Sequence, residues 1–528
     1  MDRDRRALSV GGVATVAVPV AFLAAFFAWP LVAILERSLA GDGTVDLPHD
    51  VLTRRSTLEV AWFTLWQAVV STALTLVAAL PLAWALARFS FRGRSLVEAL
   101  VLVPFVLPTV VVATAFLARL PDGVERTVWA ILLALVFFNV AIVVRVVGAF
   151  WAGLDPSLDD AAATLGASPY RRHRLVTAPL LAPAVAAAAS IVFLFCFTSF
   201  GVIVVLGGIR YATLEVEIYN QAARLFDLRA AAALALLQLA AVAATVLVSG
   251  RLERRLGGAR TRRGPAPRPT GRDRVRVGLA VGCSLALLAL PPLALVVRSF
   301  RVADGYGLDH YASLLDETPA LLVVPWHAIL NSLLFAGAAT AIALMVGVLA
   351  AVAVARGRRG LDALLMLPLG ASAAMLGFGF LLAFDEPPLD LRSSVLIVPI
   401  AQALVAIPFV VRSLVPALRA VEARLGEAAA VLGASPWQVR REIDLPLLAR
   451  PLAVAAGLAF AVALGEFGAT VFIARADWPT VPVSIFRFLG RPGADNVGTA
   501  MALSVTLMIL VTAVALASER SLVGRPPR

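Results

Sequence analysis

"LGASPYRRHRLVTAPLL" occupies Leu165–Leu181 and "LGASPWQVRREIDLPLL" occupies Leu432–Leu448, so one polar, turn-punctuated phrase is written twice into an otherwise apolar chain. The echo extends outward. "VVR" recurs at 143–145 and 410–412, Phe200-Gly201 returns as Phe467-Gly468, and Thr213 returns as Thr480, every pair 267 positions apart. An offset held without a gap from Val143 to Thr213 marks an internal duplication. Upstream the register drifts by a few residues, with Arg88 facing Arg356 and Pro104 facing Pro368.

Hydrophobic residues make up 60% of the 528 and charged ones 15%, and mean hydropathy is +0.89, which a soluble globular chain does not reach. Crossing a hydrocarbon core of ~30 Å takes roughly 20 apolar residues, and such runs can be placed about twelve times, among them 96–118, 180–208, 362–384 and 451–474. The runs are continuous, not alternating, which selects helices over a barrel. The first, behind Arg3, Arg5 and Arg6, is too long for a signal peptide and is expected to be retained. The expectation is an all-α polytopic membrane protein of two six-span repeats, residues 1–250 and 277–528. An even number of spans per repeat makes the repeats parallel, with a path between them. Residues 251–276 hold ten arginines and three prolines and read as a poorly ordered cytoplasmic linker that anchors topology and meets anionic lipid.

There is no lysine, so all 46 basic residues behind the net charge of +12 are arginine. With the N-terminus inside, 30 lie on the cytoplasmic side and 14 opposite, and Arg145 and Arg412 lie within spans. That asymmetry predicts cytoplasmic N- and C-termini and makes a nucleic-acid reading of the charge unnecessary. A P-loop needs a lysine for the terminal phosphates, and so does Schiff-base catalysis. Cys196 and Cys283 read as small core residues, and four scattered histidines have no metal-ligand spacing. No catalytic set, cofactor site or metal site is expected.

Within the repeated phrase, "EAAAVL" (427–432) favours helix, Gly433 breaks it, and Ser435 caps a second helix with Pro436 at its first position. That helix is expected to end before Pro446. Gly166, Ser168, Pro169 and Pro179 repeat the grammar. Each half thus presents a helix–turn–helix, over about 155–183 and 422–450, with Tyr170 or Trp437 beside the turn. Such a ring suits a partner's groove, or the headgroup boundary. Glu427-Ala428-Ala429, Gly433 and Ile443-x-Leu445-Pro446 resemble the "EAA" loop of ABC importer permeases at every defined position. The first copy keeps the spacing through Ala161 and Gly166 but has Asp160, Val176 and Ala178 where the pattern has Glu, Ile and Leu. The resemblance implies a type I ABC importer permease of the bacterial inner membrane. Two copies of an ATPase subunit would each take one loop, ATP would be hydrolysed by those partners, and Asp160 and Glu427 would hold the loop or pair with partner arginines.

Beyond the loops, "FTSFGVIVVLGG" (197–208) and "GEFGATVFIARADWPTVPVSIF" (465–486) are counterparts. Ser199, Glu466 and Asn139 are the candidate path-lining residues. Glu466 reads either as facing the path or as an interhelical hydrogen bond, protonated or paired with Arg412. The fused plan, with "ATLEVEIYNQA" and "TVPVSIF", looks like the thiamine permeases of bacterial ABC importers; ferric-iron permeases share it, and "GEFGAT" also occurs in anion permeases. A binding protein would supply selectivity at outer segments 209–228 and 475–498. An ion-coupled secondary transporter, the main rival, calls for acidic or histidine relays in both halves, whereas one deep carboxylate is visible.

Overall fold

The structure, a computed structural model, describes residues 10–39, 48–121, 123–124, 126–155, 157–208, 210–256, 267–303, 305–318, 320–385, 389–421, 425, 428–429 and 431–523. It is all-helical apart from a two-residue antiparallel ribbon, Arg301–Val302 with Gly305–Tyr306. Among the described residues, ten helices are long and apolar enough to cross a membrane, and two further helix pairs bring the number to 12 if each pair is one span.

Those pairs correct two of the expected spans. The run 96–118 is broken into Arg94–Val106 and Thr109–Arg119, bent by 105°, and the run 362–384 into Gly360–Pro368 and Ala373–Ala383, bent by 89°. Turn chemistry explains both breaks. Leu107 precedes Pro108 and is driven to φ −66°, ψ 136°, outside the helical region. Ser372 caps the second re-entry, its Oγ accepting from Met375 N at 3.0 Å. Runs 180–208 and 451–474 are interrupted too: their helices stop at Phe197 and Gly465, and short helices Gly201–Leu206 and Thr470–Ile473 follow.

Part of the stretch 251–276, expected to be a poorly ordered linker, is helical. Helix Leu228–Leu256 runs into it from one side and helix Gly271–Ser299 begins inside it, while 257–266 lie outside the described residues.

The described residues form two compact units, one within Met1–Pro48, Ile218–Ala232 and Gly307–Arg528, the other within His49–Glu217 and Ala233–Tyr306. In the latter, Arg55–Arg88, Val128–Ala152 and Ala178–Phe197 pack on one another, and Gly271–Ser299 lies against Thr109–Arg119. Arg298 Nη1 donates to the carbonyls of Leu117 and Ala118 at 3.1 and 3.4 Å, capping that half-helix at its carbonyl end. In the former, Pro325–Ala355, Ile397–Ala420 and Leu445–Gly465 form the equivalent set. Val10–Leu23 packs on Pro325–Ala355, and Trp29–Leu39 on Ala373–Ala383, where a Cβ at Gly379 would come within 2.9 Å of Pro30. Sequence repeats and compact units therefore partition the chain differently. The leading helix of each repeat finds its apolar partner among helices encoded by the other.

Candidate functional site

Both copies of the repeated phrase fold alike. Helix Ser157–Thr164 is followed by Gly166, which takes φ +80°, and Gly433 takes φ +88° in the second copy. Ala167 N donates to Ala162 O at 3.1 Å and Ala434 N to Ala429 O at 3.0 Å, the six-residue closure of a Schellman turn. Ser168 and Ser435 then cap the next helices, accepting from Arg171 N at 3.4 Å and Gln438 N at 3.3 Å. The second copy adds a reciprocal bond, Ser435 N to Gln438 Oε1 at 2.8 Å, and so completes a capping box. The first copy has Arg171 at that place and lacks the bond.

The expected stop before Pro179 and Pro446 is overturned. Each proline is the second residue of a helix, Ala178–Phe197 or Leu445–Gly465. A five-residue π turn, His173–Thr177 or Arg440–Asp444, joins that helix to Pro169–Arg172 or Pro436–Val439. Ala178 N bonds to His173 O. Widening the turn lets the helix pass a residue that has no N–H and would otherwise clash with the preceding turn. Pro169–Phe197 is consequently one helix of 29 residues, about 43 Å long at 1.5 Å per residue. It begins at the capped turn and ends beside Ser199.

The turns are apolar and bare. Tyr170 is 72% exposed, Trp437 66%, and Leu165, Val431 and Leu432 are each above 85%. Ala161, Pro169 and Pro179 are also exposed. Asp160 is exposed and bonds to no described residue; its neighbour Asp159 holds the loop, accepting from Arg172 Nη1 at 2.9 Å with Arg88 Nη2 at 3.7 Å. Glu427 lies outside the described residues; Ala428 contributes its carbonyl to Leu432 N at 3.1 Å.

Past the Gly465 end of the helix that follows Trp437, Glu466 is buried and, among the described residues, is not paired with Arg412. Its carboxylate accepts from Ala469 N at 2.7 Å, Thr470 N at 3.0 Å and the Thr470 hydroxyl, capping the helix that restarts there. Arg412 instead points Nε at Met366 Sδ, 3.2 Å away. The interrupted segment is pressed against Ala373–Ala383: a Cβ at Gly377 would lie 2.5 Å from Ala469 O, and one at Gly468 2.9 Å from the Ala373 side chain. Asn139 is fully buried in the other unit, donating to Leu135 O at 2.9 Å and Cys196 Sγ at 3.5 Å. Ser199 is buried in the break between Phe197 and Gly201.

Two features escaped the sequence reading. Glu215, in a segment read as external, is fully buried and accepts from Gln238 Nε2 at 2.9 Å, so Glu466 is not alone as a deep carboxylate. The second is a ring cluster in the unit that holds Glu466. Tyr219 stands edge-on to Phe472 at 5.4 Å and to Phe486 at 5.9 Å, Phe467 lies 5.4 Å from Phe486, and Arg224 sits 5.7 Å over the Tyr219 ring. Tyr219 and Phe486 are 267 positions apart, which is the one trace the cluster leaves in the sequence.

Two capped loops on continuous helices leading to interrupted spans define a repeated machine, and its parts coincide with a known profile. The profile described as "Binding-protein-dependent transport system inner membrane component" matches residues 76–258 and again 343–522. The chain belongs to this family. It is therefore a non-catalytic, multi-pass inner-membrane permease subunit of an ABC importer, with the ATPase on a separate subunit and a binding protein as a further partner. Among family relatives, the chain is 30% identical over 498 residues to the thiamine transport system permease protein ThiP of Brucella abortus (strain 2308), covering 88% of each chain. It is 30% identical over 490 residues to the protein of that name from Escherichia coli (strain K12), covering 86% of this chain and 88% of the relative. A putative 2-aminoethylphosphonate transport system permease protein of Salmonella paratyphi A is 28% identical over 260 residues, 47% of this chain and 95% of that one. A one-repeat relative aligned to half of a two-repeat chain is what duplication and fusion of one permease unit would leave.

Proposed function

We propose that this permease conducts thiamine or its phosphates, with both termini in the cytoplasm and one ATPase subunit docked on each exposed loop. The carrying observation is the helix Pro169–Phe197, which runs unbroken from a bare aromatic turn to an interrupted span, with Pro436–Val439, Arg440–Asp444 and Leu445–Gly465 following one another in the same order in the second repeat. A push on Tyr170 or Trp437 passes along a rigid rod to Ser199 or to the Glu466 cap. A break there is cheaper to rearrange than a continuous helix, since its hydrogen bonds are already local. Val176 and Ala178 in the first loop, and its missing capping-box bond, leave the two docking contacts unequal. Gly166, Gly433, Pro169, Pro179, Pro436 and Pro446 serve the turn and the rod, while Asp160 and Glu427 are the charges offered to the partner.

The thiamine assignment rests on the two-repeat relatives and on the rings of Tyr219, Phe472 and Phe486. Edge-on aromatic groups suit a flat heteroaromatic solute, and Arg224 beside them suits a phosphate ester. The binding protein docks on segments 209–228 and 475–498. Deleting the gene in its native host tests the substrate. The expected result is loss of saturable, vanadate-sensitive uptake of labelled thiamine with ferric-iron uptake intact. Intact thiamine uptake with lost iron uptake would transfer the assignment to ferric iron.

A further inference from the structure

The importer reading leaves Arg145 without a task. It lies seven residues, about 10 Å, inside the Ala152 end of helix Val128–Ala152. Its side chain is exposed and bonds to no described residue. It opens into a cleft of about 560 Å³, within the ~300–1,000 Å³ span of small-ligand sites. The walls are Leu86, Val101, Leu102 and Val144, and the other charges are Arg94 and Glu98. Those two are already spent on each other, Arg94 Nε donating to Glu98 Oε1 at 2.9 Å, with Arg94 Nη1 also reaching Phe89 O at 3.4 Å. The cleft thus keeps one guanidinium with no partner among the described residues, about 10 Å inside a helix long and apolar enough to cross a membrane.

We propose that this cleft holds the phosphate of an anionic phospholipid from the leaflet on the side of the repeated loops. Hydrocarbon offers nothing to five N–H donors, so an arginine at this depth needs an anion or water. A phosphodiester satisfies the planar fork through two parallel bonds, and the adjoining acyl chain covers the apolar walls. A free phosphate would gain the first interaction but not the second. The position recurs in the other repeat. Arg412 is its 267-residue counterpart, and there Met366 stands where Leu102 lines the cleft, at the same offset that relates Pro104 to Pro368. A thioether is a weak acceptor, so that site supplies no anion from the protein either.

Native mass spectrometry of the permease purified with its ATPase partner tests this, using phosphatidylglycerol and phosphatidylcholine of matched acyl chains. The wild type is expected to retain phosphatidylglycerol through delipidation in preference to phosphatidylcholine. Arg145→Gln should lower that retention about tenfold, and Arg145→Lys, which keeps the charge but loses the planar fork, should fall between Gln and the wild type. If the Gln variant does not assemble, Leu102→Trp fills the cleft while sparing the charge and should also lose the lipid. Wild-type retention in Arg145→Gln or in Leu102→Trp, equal retention of the two lipids, or displacement by excess inorganic phosphate would each overturn the proposal.

Discussion

Replacing Gly166 or Gly433 isolates the contribution of the turn, because the structure makes the cost calculable. Both residues sit at positive φ, +80° and +88°, and nothing lies within 4 Å of the Cβ that alanine would add at either position. The penalty is therefore purely conformational, about 1–2 kcal/mol for an L-residue held in the left-handed region. That lowers the population of the docking-competent turn by a factor of about 5–30. Because the two sites are equally open, Gly166→Ala and Gly433→Ala carry the same backbone cost. Any difference in their effect on transport then measures the unequal roles of the two loops. The capping box at Ser435 and Gln438 places the larger defect at Gly433. Asparagine, which tolerates this conformation, should recover much of the loss, and valine should deepen it. The assay is substrate-stimulated ATP hydrolysis by the reconstituted transporter, with helical content and thermal midpoint unchanged. Wild-type stimulation in both valine variants, or an asparagine variant as poor as valine, would refute the argument that the turn matters.

Trp437→Ala and Tyr170→Ala remove bare rings and leave every described hydrogen bond intact. They should weaken co-purification of the ATPase about tenfold or more while leaving the melting temperature of the permease alone. Gly377→Ala places a methyl group 2.5 Å from the Ala469 carbonyl oxygen, so membrane-inserted yield should collapse, and normal yield would mean the two segments are not in contact. Glu466→Gln keeps the shape but loses acceptor capacity against Ala469 N, Thr470 N and the Thr470 hydroxyl. A destabilisation of about 1–3 kcal/mol is expected in chemical unfolding, and an unchanged midpoint would remove the carboxylate from its capping role.

Much of the twin-loop architecture was legible because its determinants are local. Gly433 followed by Ser435 and Pro436 writes a helix stop, a cap and a restart into four residues, and the 267-residue echo repeats the instruction. The rule that a helix halts before proline failed at Pro179 and Pro446, although it held at Pro108. The difference lies in the residues ahead: Leu107 took the extended conformation, whereas Thr177 and Ala178 kept helical angles once a π turn absorbed the missing N–H. Glu466 was legible as unusual but not as a cap, since its partners became backbone donors only after the span broke at Gly465. Glu215 went unnoticed as a buried group because Glu217 and Arg210 nearby give its segment the look of a solvated loop.

By itself the sequence determined the solvent, the element type and the duplication. An apolar composition admits only structures that satisfy their own backbone, and a constant offset needs no coordinates to be seen. Tertiary structure alone decided which helices share a core, and it placed Val10–Leu23 on Pro325–Ala355 and Gly271–Ser299 on Thr109–Arg119. Continuously apolar helices carry little directional pattern to name their neighbours, so the choice falls to close packing at small residues such as Gly377, Gly379 and Gly468. The same packing brought Tyr219 to Phe472 and Phe486 across more than two hundred residues of chain.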